Sequence, residues 1–155
     1  MEEKLVNLLI EKNWTIASAE SCTGGMFSST IINVPNASKV INASIVTYSN
    51  EAKQEFCNVS KETLIEYGAV SEPVALEMAI GITQTCESEV GVGISGIAGP
   101  GGGTVAKPVG TVCFGFFVNG NGFCYSKHFE GNRQEVRRQS VEFAVGKLIE
   151  ILEHC

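Results

Sequence analysis

Leu5, Leu8 and Leu9 recur at helical spacing, so residues 2–12 read as an amphipathic helix. After Trp14 the stretch TIAS (15–18) reads as a strand. Gly25 to Ile32 reads as a helix, ended by NVPN with Pro35. VINASIVTY (40–48) is rich in β-branched residues and reads as a second strand. Ser49 then stands as the cap of a short helix carrying Glu51 and Lys53. SKETLIEYG (60–68) is another short helix, with Gly68 as its stop. Ser71 caps a longer one, with Glu72 and Pro73 in its first turn, running to about Cys86. VGVGIS (90–95) reads as a buried strand. VGTVCFGFFV (109–118) is a further strand, turned by NGNG (119–122) into FCYSKHF (123–129). Asn132 with Glu135 three residues on opens a last helix, to about Glu153. Strands alternate with helices first, and a hairpin comes later. That order predicts an α/β fold: a single three-layer α/β/α domain with a mixed β-sheet over residues 1–155.

The chain is 44% apolar and 18% charged, enough for a core and contrary to disorder. Its formal net charge of −6 argues against nucleic acid as the partner, because phosphate backbones need a basic face. A single small anion in a local pocket is compatible with that charge. No secretory signal is read at the acidic start, Met1–Glu3. The longest apolar run, Val109–Val118, is too short to span a bilayer, so no membrane partner is expected. The six cysteines and two histidines are scattered, with no zinc-ribbon spacing. The reading is a cytoplasmic protein with buried, reduced thiols and no metal.

Three stretches invite chemistry. GVGISG (91–96) matches the dinucleotide fingerprint GxGxxG, but its glycines lie inside an apolar strand and no acidic residue occurs over 110–118. GPGGGT (99–104) reads either as a flexible surface loop or as a cradle whose N–H groups approach an anion. It lacks the Lys-Ser/Thr pair of a P-loop. In AESCTGG (19–25), Ser21 or Thr23 reads as a helix N-cap. The same turn, with free N–H groups beside an exposed hydroxyl, also suits an acyl-transfer nucleophile. Cys22 is the rival nucleophile, and Glu20 reads as structural. His128 and His154 are poorly placed to serve as base, so the base falls to a lysine from another segment. Lys53, in TYSNEAK (47–53), follows a strand as Ser21 does. Taken alone it is a solvated surface lysine; it acts as a base only where burial or nearby cations lower its pKa.

AESCTGG, TYSNEAK, YGAVSEPVA (67–75), SGIAGPGGGTVAKPVGTV (95–112) and GNRQEVR (131–137) together resemble, in order and over nearly the whole chain, the CinA C-terminal domain family. That family includes the PncC-like nicotinamide mononucleotide deamidases. The resemblance implies an amidohydrolase that yields nicotinate mononucleotide and ammonia, with no metal and no organic cofactor. It places the nucleophile at Ser21 and the general base at Lys53, with Tyr48 and Ser95 beside them. Ser95 stands where many members carry threonine. Substrate phosphate and ribose fall to Gly99, Gly101, Gly102 and Gly103 with Arg133, and less directly to Arg137. Backbone N–H groups of the Ser21–Gly25 turn, Thr23 and Gly24 among them, are the expected donors to the acyl oxygen. The resemblance further implies a homodimer or higher homo-oligomer and the stand-alone form, without the molybdopterin-binding-like domain of longer members. The competing reading from another class is a nucleotide-binding module that uses the same loop without turnover.

Overall fold

The computed structural model describes residues 1–155. Six α-helices and five strands follow the predicted order: α1 (Glu2–Lys12), β1 (Ile16–Glu20), α2 (Met26–Ile32), β2 (Ile41–Val46), α3 (Asn50–Cys57), α4 (Lys61–Tyr67), α5 (Glu72–Cys86), β3 (Val90–Gly96), β4 (Thr111–Val118), β5 (Asn121–His128) and α6 (Arg133–Glu153). A 3₁₀ turn at Ala37–Lys39, which no periodicity announced, leads into β2. The sheet runs β2-β1-β3-β4-β5. Its first three strands are parallel, and β4 and β5 are antiparallel additions, so the sheet is mixed. The turn between β4 and β5 is Asn119–Gly120, both with positive φ, as a two-residue hairpin requires.

Alternation along β1 sorts the layers. Ile16 joins the larger core under α1, α2 and α6, with Val92, Ile94, Phe114 and Phe116. Ala17 and Ala19 face the other side, with Val74, Met78 and Ile82 of α5. That second face is built from small residues, which lets α5 lie with its backbone almost on the sheet. A Cβ at Gly91 would strike the carbonyl of Ala79, and one at Gly93 or Gly115 the carbonyl of Ala75. Gly91 and Gly93 of GVGISG therefore serve close helix–sheet approach, which is why they sit inside a strand.

The chain leaves β1 for β2 on one side and returns to β3 on the other, so its direction reverses at β1. Ligand crevices in open α/β sheets form at that point, outside the carboxyl ends of the strands. The segments there are 21–25 after β1, 47–49 after β2 and 97–103 after β3.

One expectation is corrected here. Neither Ser21 nor Thr23 caps α2; its N-cap is Gly25, which has no capping side chain. The buried carboxylate of Glu20 does the work from β1, accepting from the N–H groups of Gly25, Phe27 and Ser28 at 2.9–3.1 Å. An anion with two oxygens reaches more orphan amides than one hydroxyl can.

The position of α3 depends on Gly81. A Cβ there would collide with the backbone of Cys57 at the end of α3. Gly81→Ala is expected to destabilise the protein by about 1–3 kcal/mol in urea unfolding, as overpacking against rigid backbone does. Because α3 carries Lys53, the same substitution displaces that side chain.

Candidate active site

The C-terminal ends of β1 and β3 open into a cleft of about 280 Å³. Ser21 follows β1 directly, and its N–H bonds the carbonyl of Ile94 on β3. Lys53 reaches the same point from the first turn of α3, where Ser49 accepts from the N–H of Ala52 as expected. Sequence alone left open whether this lysine is a solvated one. It is only 1% exposed. Lys53 Nζ donates to Ser21 Oγ at 3.1 Å, to the Thr47 carbonyl at 2.9 Å and to the Tyr48 carbonyl at 3.0 Å. No carboxylate is paired with it. Burial disfavours its ammonium form and holds its pKa below the ordinary 10.5. Ser21 Oγ also lies 3.3 Å from the Tyr48 carbonyl.

Cys22 lines the cleft too, but burial pushes its thiol up to about 11, which leaves it protonated at neutral pH. Ser95, at the end of β3 and 1% exposed, lines the cleft with a hydroxyl that has no protein partner. Tyr48 enters differently from Ser95. Its main-chain carbonyl holds Lys53, while its 62% exposed ring carries the hydroxyl to Arg133 Nη2 at 3.4 Å.

Arg133 is the first residue of α6. The capping box of Asn132 and Glu135 sets that helix start. Its Nη1 donates to the Gly99 carbonyl at 2.6 Å, tying α6 to the glycine loop. Gly99, Gly101 and Gly102 line the cleft with Arg133; Gly103 lies beyond it, in a shallow depression on the outer side of the loop. Asn50, Ala69, Val70, Gly96, Ile97 and Ala98 complete the wall. No acidic side chain lines the cleft, although the whole chain is acidic.

Besides Gly103, three expected substrate contacts stand outside this wall. The Thr23 hydroxyl bonds Glu20 at 2.8 Å, and the Gly24 N–H is taken by the Ser21 carbonyl. Arg137 turns to the back of the Ser21–Gly25 turn, donating to the carbonyls of Cys22 and Thr23. The Gly25 amide is also used, by Glu20, so of the turn's N–H groups only those of Cys22 and Thr23 have no protein acceptor. Sequence reasoning missed Asn50 and the Ala69–Val70 wall, and it missed the two carbonyls that hold Lys53. The last could not have been found, because every residue carries a carbonyl. Ala69 and Val70 lie in YGAVSEPVA, the stretch whose role was unassigned. No helix is long and apolar enough to cross a membrane.

A family model, the CinA C-terminal domain, matches residues 1–152. A Clostridium botulinum protein named as competence-damage inducible is 46% identical over 153 residues, 99% of this chain and 37% of its own length. A CinA-like protein of Petrotoga mobilis is 43% identical over 98% of this chain and 38% of its own length. The chain thus spans little more than a third of these curated relatives. A crystal structure of a CinA superfamily protein from Klebsiella pneumoniae superposes with a TM-score of 0.96 at 34% identity, covering 99% of this chain and 96% of that one.

A lysine whose pKa is lowered on folding leaves the native state with fewer protons than the unfolded state, between the lowered value and 10.5. Stability from this group therefore rises with pH across that window and is lost as pH falls through it. The raised thiols of Cys22 and Cys57 act oppositely, but only above their ordinary 9.0. In urea titrations up to pH 10.5, with the thiols common to both proteins, wild type is expected to gain on Lys53→Met as pH rises. A constant difference across that range would place Lys53 as an ordinary ammonium.

Proposed function

The chain belongs to the CinA C-terminal domain family, and from that premise we propose that it is an amidohydrolase, cleaving nicotinamide mononucleotide to nicotinate mononucleotide and ammonia with Ser21 and Lys53. One observation carries this reading. A buried lysine without a carboxylate partner lies 3.1 Å from a serine hydroxyl at the mouth of a cleft that has no acidic lining.

A neutral Lys53 has two N–H bonds and one lone pair. The carbonyls of Thr47 and Tyr48 engage the two N–H bonds, which turns the lone pair toward Ser21 Oγ. Ser21 Oγ attacks the carboxamide carbon as its proton passes to Lys53. The carbonyl oxygen becomes an oxyanion, and the unpaired N–H of Cys22, next to the nucleophile, is the nearest donor in sequence. Lys53 gives its proton to the nitrogen, the C–N bond breaks and ammonia leaves. Water then attacks the ester carbon, Lys53 takes its proton, and the acyl C–Oγ bond breaks with the proton returned to Ser21. Ser95 Oγ supplies a further hydroxyl in the cleft. Arg133 and the amides of the Gly99–Gly102 segment answer to the phosphate, an anion this cleft favours over the rest of the surface.

The test is ammonia release from nicotinamide mononucleotide by the purified protein, with free nicotinamide as the comparison. Ligand binding without ammonia would favour the binding module instead. Ser21→Ala and Lys53→Arg are each expected to abolish turnover, and the double variant to lose little more, because residues acting as one unit are non-additive. Arginine cannot serve as base, since its guanidinium keeps its proton. Cys22→Ala is expected to stay within about tenfold of wild type, as a packing thiol would. An inactive Cys22→Ala beside a normal Ser21→Ala would overturn the mechanism. In wild type, kcat/KM should rise with pH through the lowered Lys53 value and then level off.

Arg133→Ala is expected to weaken binding of the mononucleotide by roughly 10- to 150-fold while sparing the riboside, the loss of a charge-assisted bond of about 1.5–3 kcal/mol. Equal losses for both ligands would assign Arg133 to the fold.

A further inference from the structure

Arg137 has no place in the cleft wall, yet each of its three guanidinium nitrogens has a hydrogen-bond partner. Nε donates to the Cys22 carbonyl at 2.9 Å and Nη2 to the Thr23 carbonyl at 3.1 Å. Nη1 donates to Gln134 Oε1 at 3.1 Å, one turn earlier on α6. The two carbonyls belong to the peptides that follow the nucleophile. In a trans peptide the N–H points opposite to the C=O. Holding the Cys22 carbonyl on the α6 side therefore directs the Thr23 N–H away from α6. Holding the Thr23 carbonyl fixes the Gly24 N–H, which closes the turn onto the Ser21 carbonyl at 3.1 Å. That closure in turn fixes the peptide between Ser21 and Cys22, whose N–H is unpaired.

The other end of the turn is held by Glu20, which accepts from Thr23 Oγ1, Gly25, Phe27 and Ser28. The turn is thus gripped by an anion on its amides and a cation on its carbonyls. Only the Cys22 and Thr23 amides are left without protein partners.

Resting on the Ser21–Lys53 reading, we propose that Arg137 is a positioning residue for catalysis: it fixes the peptide planes after Ser21 so that their N–H groups stand ready for the oxyanion, and it does not bind the substrate phosphate. The two arginines of GNRQEVR then divide the work. Arg133 faces the cleft, and Arg137, one turn on, holds the nucleophile turn from behind. A guanidinium suits the task because its planar fork spans two neighbouring carbonyls, which an ammonium cannot match.

A fluorophosphonate probe tests this without reference to the natural substrate. Ser21 Oγ forms a bond to phosphorus, the P–F bond breaks, fluoride leaves and the hydroxyl proton passes to Lys53. The developing charge on the phosphoryl oxygen calls on the same donors. In the full chain, Arg137→Ala is expected to slow Ser21 labelling about 10- to 100-fold, the scale of a misplaced reacting group or a weakened oxyanion donor. With nicotinamide mononucleotide the loss should appear in kcat with KM nearly unchanged, and added guanidinium ion should restore part of it. Arg138→Ala, on the exposed side of α6, should label at the wild-type rate. Labelling of Arg137→Ala at the wild-type rate overturns the proposal. So does a raised KM with kcat intact, which would return Arg137 to the phosphate. If Arg137→Ala does not fold, Arg137→Lys decides by the same readout. A wild type that is not labelled at Ser21 overturns the Ser21–Lys53 reading and this proposal with it, whereas labelling without ammonia release overturns the choice of substrate alone.

Discussion

The buried amine of Lys53 is the constraint to which the rest of the site answers. A lysine removed from water must neutralise, pair with an anion, or surround itself with acceptors. Here no anion is supplied, and two carbonyls and a hydroxyl take its place. Burial without an anion lowers its pKa, while the three acceptors keep it hydrogen-bonded. It also dictates architecture. The Thr47 and Tyr48 carbonyls are available because β2 ends at Val46, so the next peptides leave the sheet. The lysine arrives because α3 packs tightly on α5 through Gly81, and α5 in turn lies on a sheet face of alanine and glycine.

The turn after β1 is held by a second, opposite arrangement. Glu20 is fully buried, and its carboxylate collects Ser18, Thr23 and three amides at the start of α2. Those amides would otherwise be orphaned by a helix that has no capping side chain of its own. Arg137 fixes the carbonyl side of the same turn. The Ser21–Gly25 turn is therefore framed by two charged side chains that never enter the cleft. Among the side chains that do line the cleft, Lys53 and Arg133 are basic and none is acidic. A chain of net charge −6 thereby presents one local surface suited to an anion, which net charge by itself does not reveal.

The sequence by itself determined the elements and their order. Helical spacing in α1, β-branched runs in β2 and the serine caps at Ser49 and Ser71 are local signals, and so are the NGNG turn and the Asn132–Glu135 capping box. Each depends on residues a few positions apart. The α/β/α layering with a mixed sheet followed from that order, and the resemblance pointed to the family. Only the tertiary structure decided the state of individual side chains. Lys53 looks like a surface lysine until α3 is laid against α5. Ser21 looks like a helix cap until Glu20, its neighbour in sequence, is seen to reach α2 first. Arg133 and Arg137 are indistinguishable in GNRQEVR, yet one turn of helix sends one to the cleft and the other behind the turn. The physical reason is the same each time. Protonation state, hydrogen-bond partner and access to the cleft are set by groups distant in sequence, 32 residues away for Lys53 and Ser21 and 115 for Arg137 and Cys22. No local pattern encodes them.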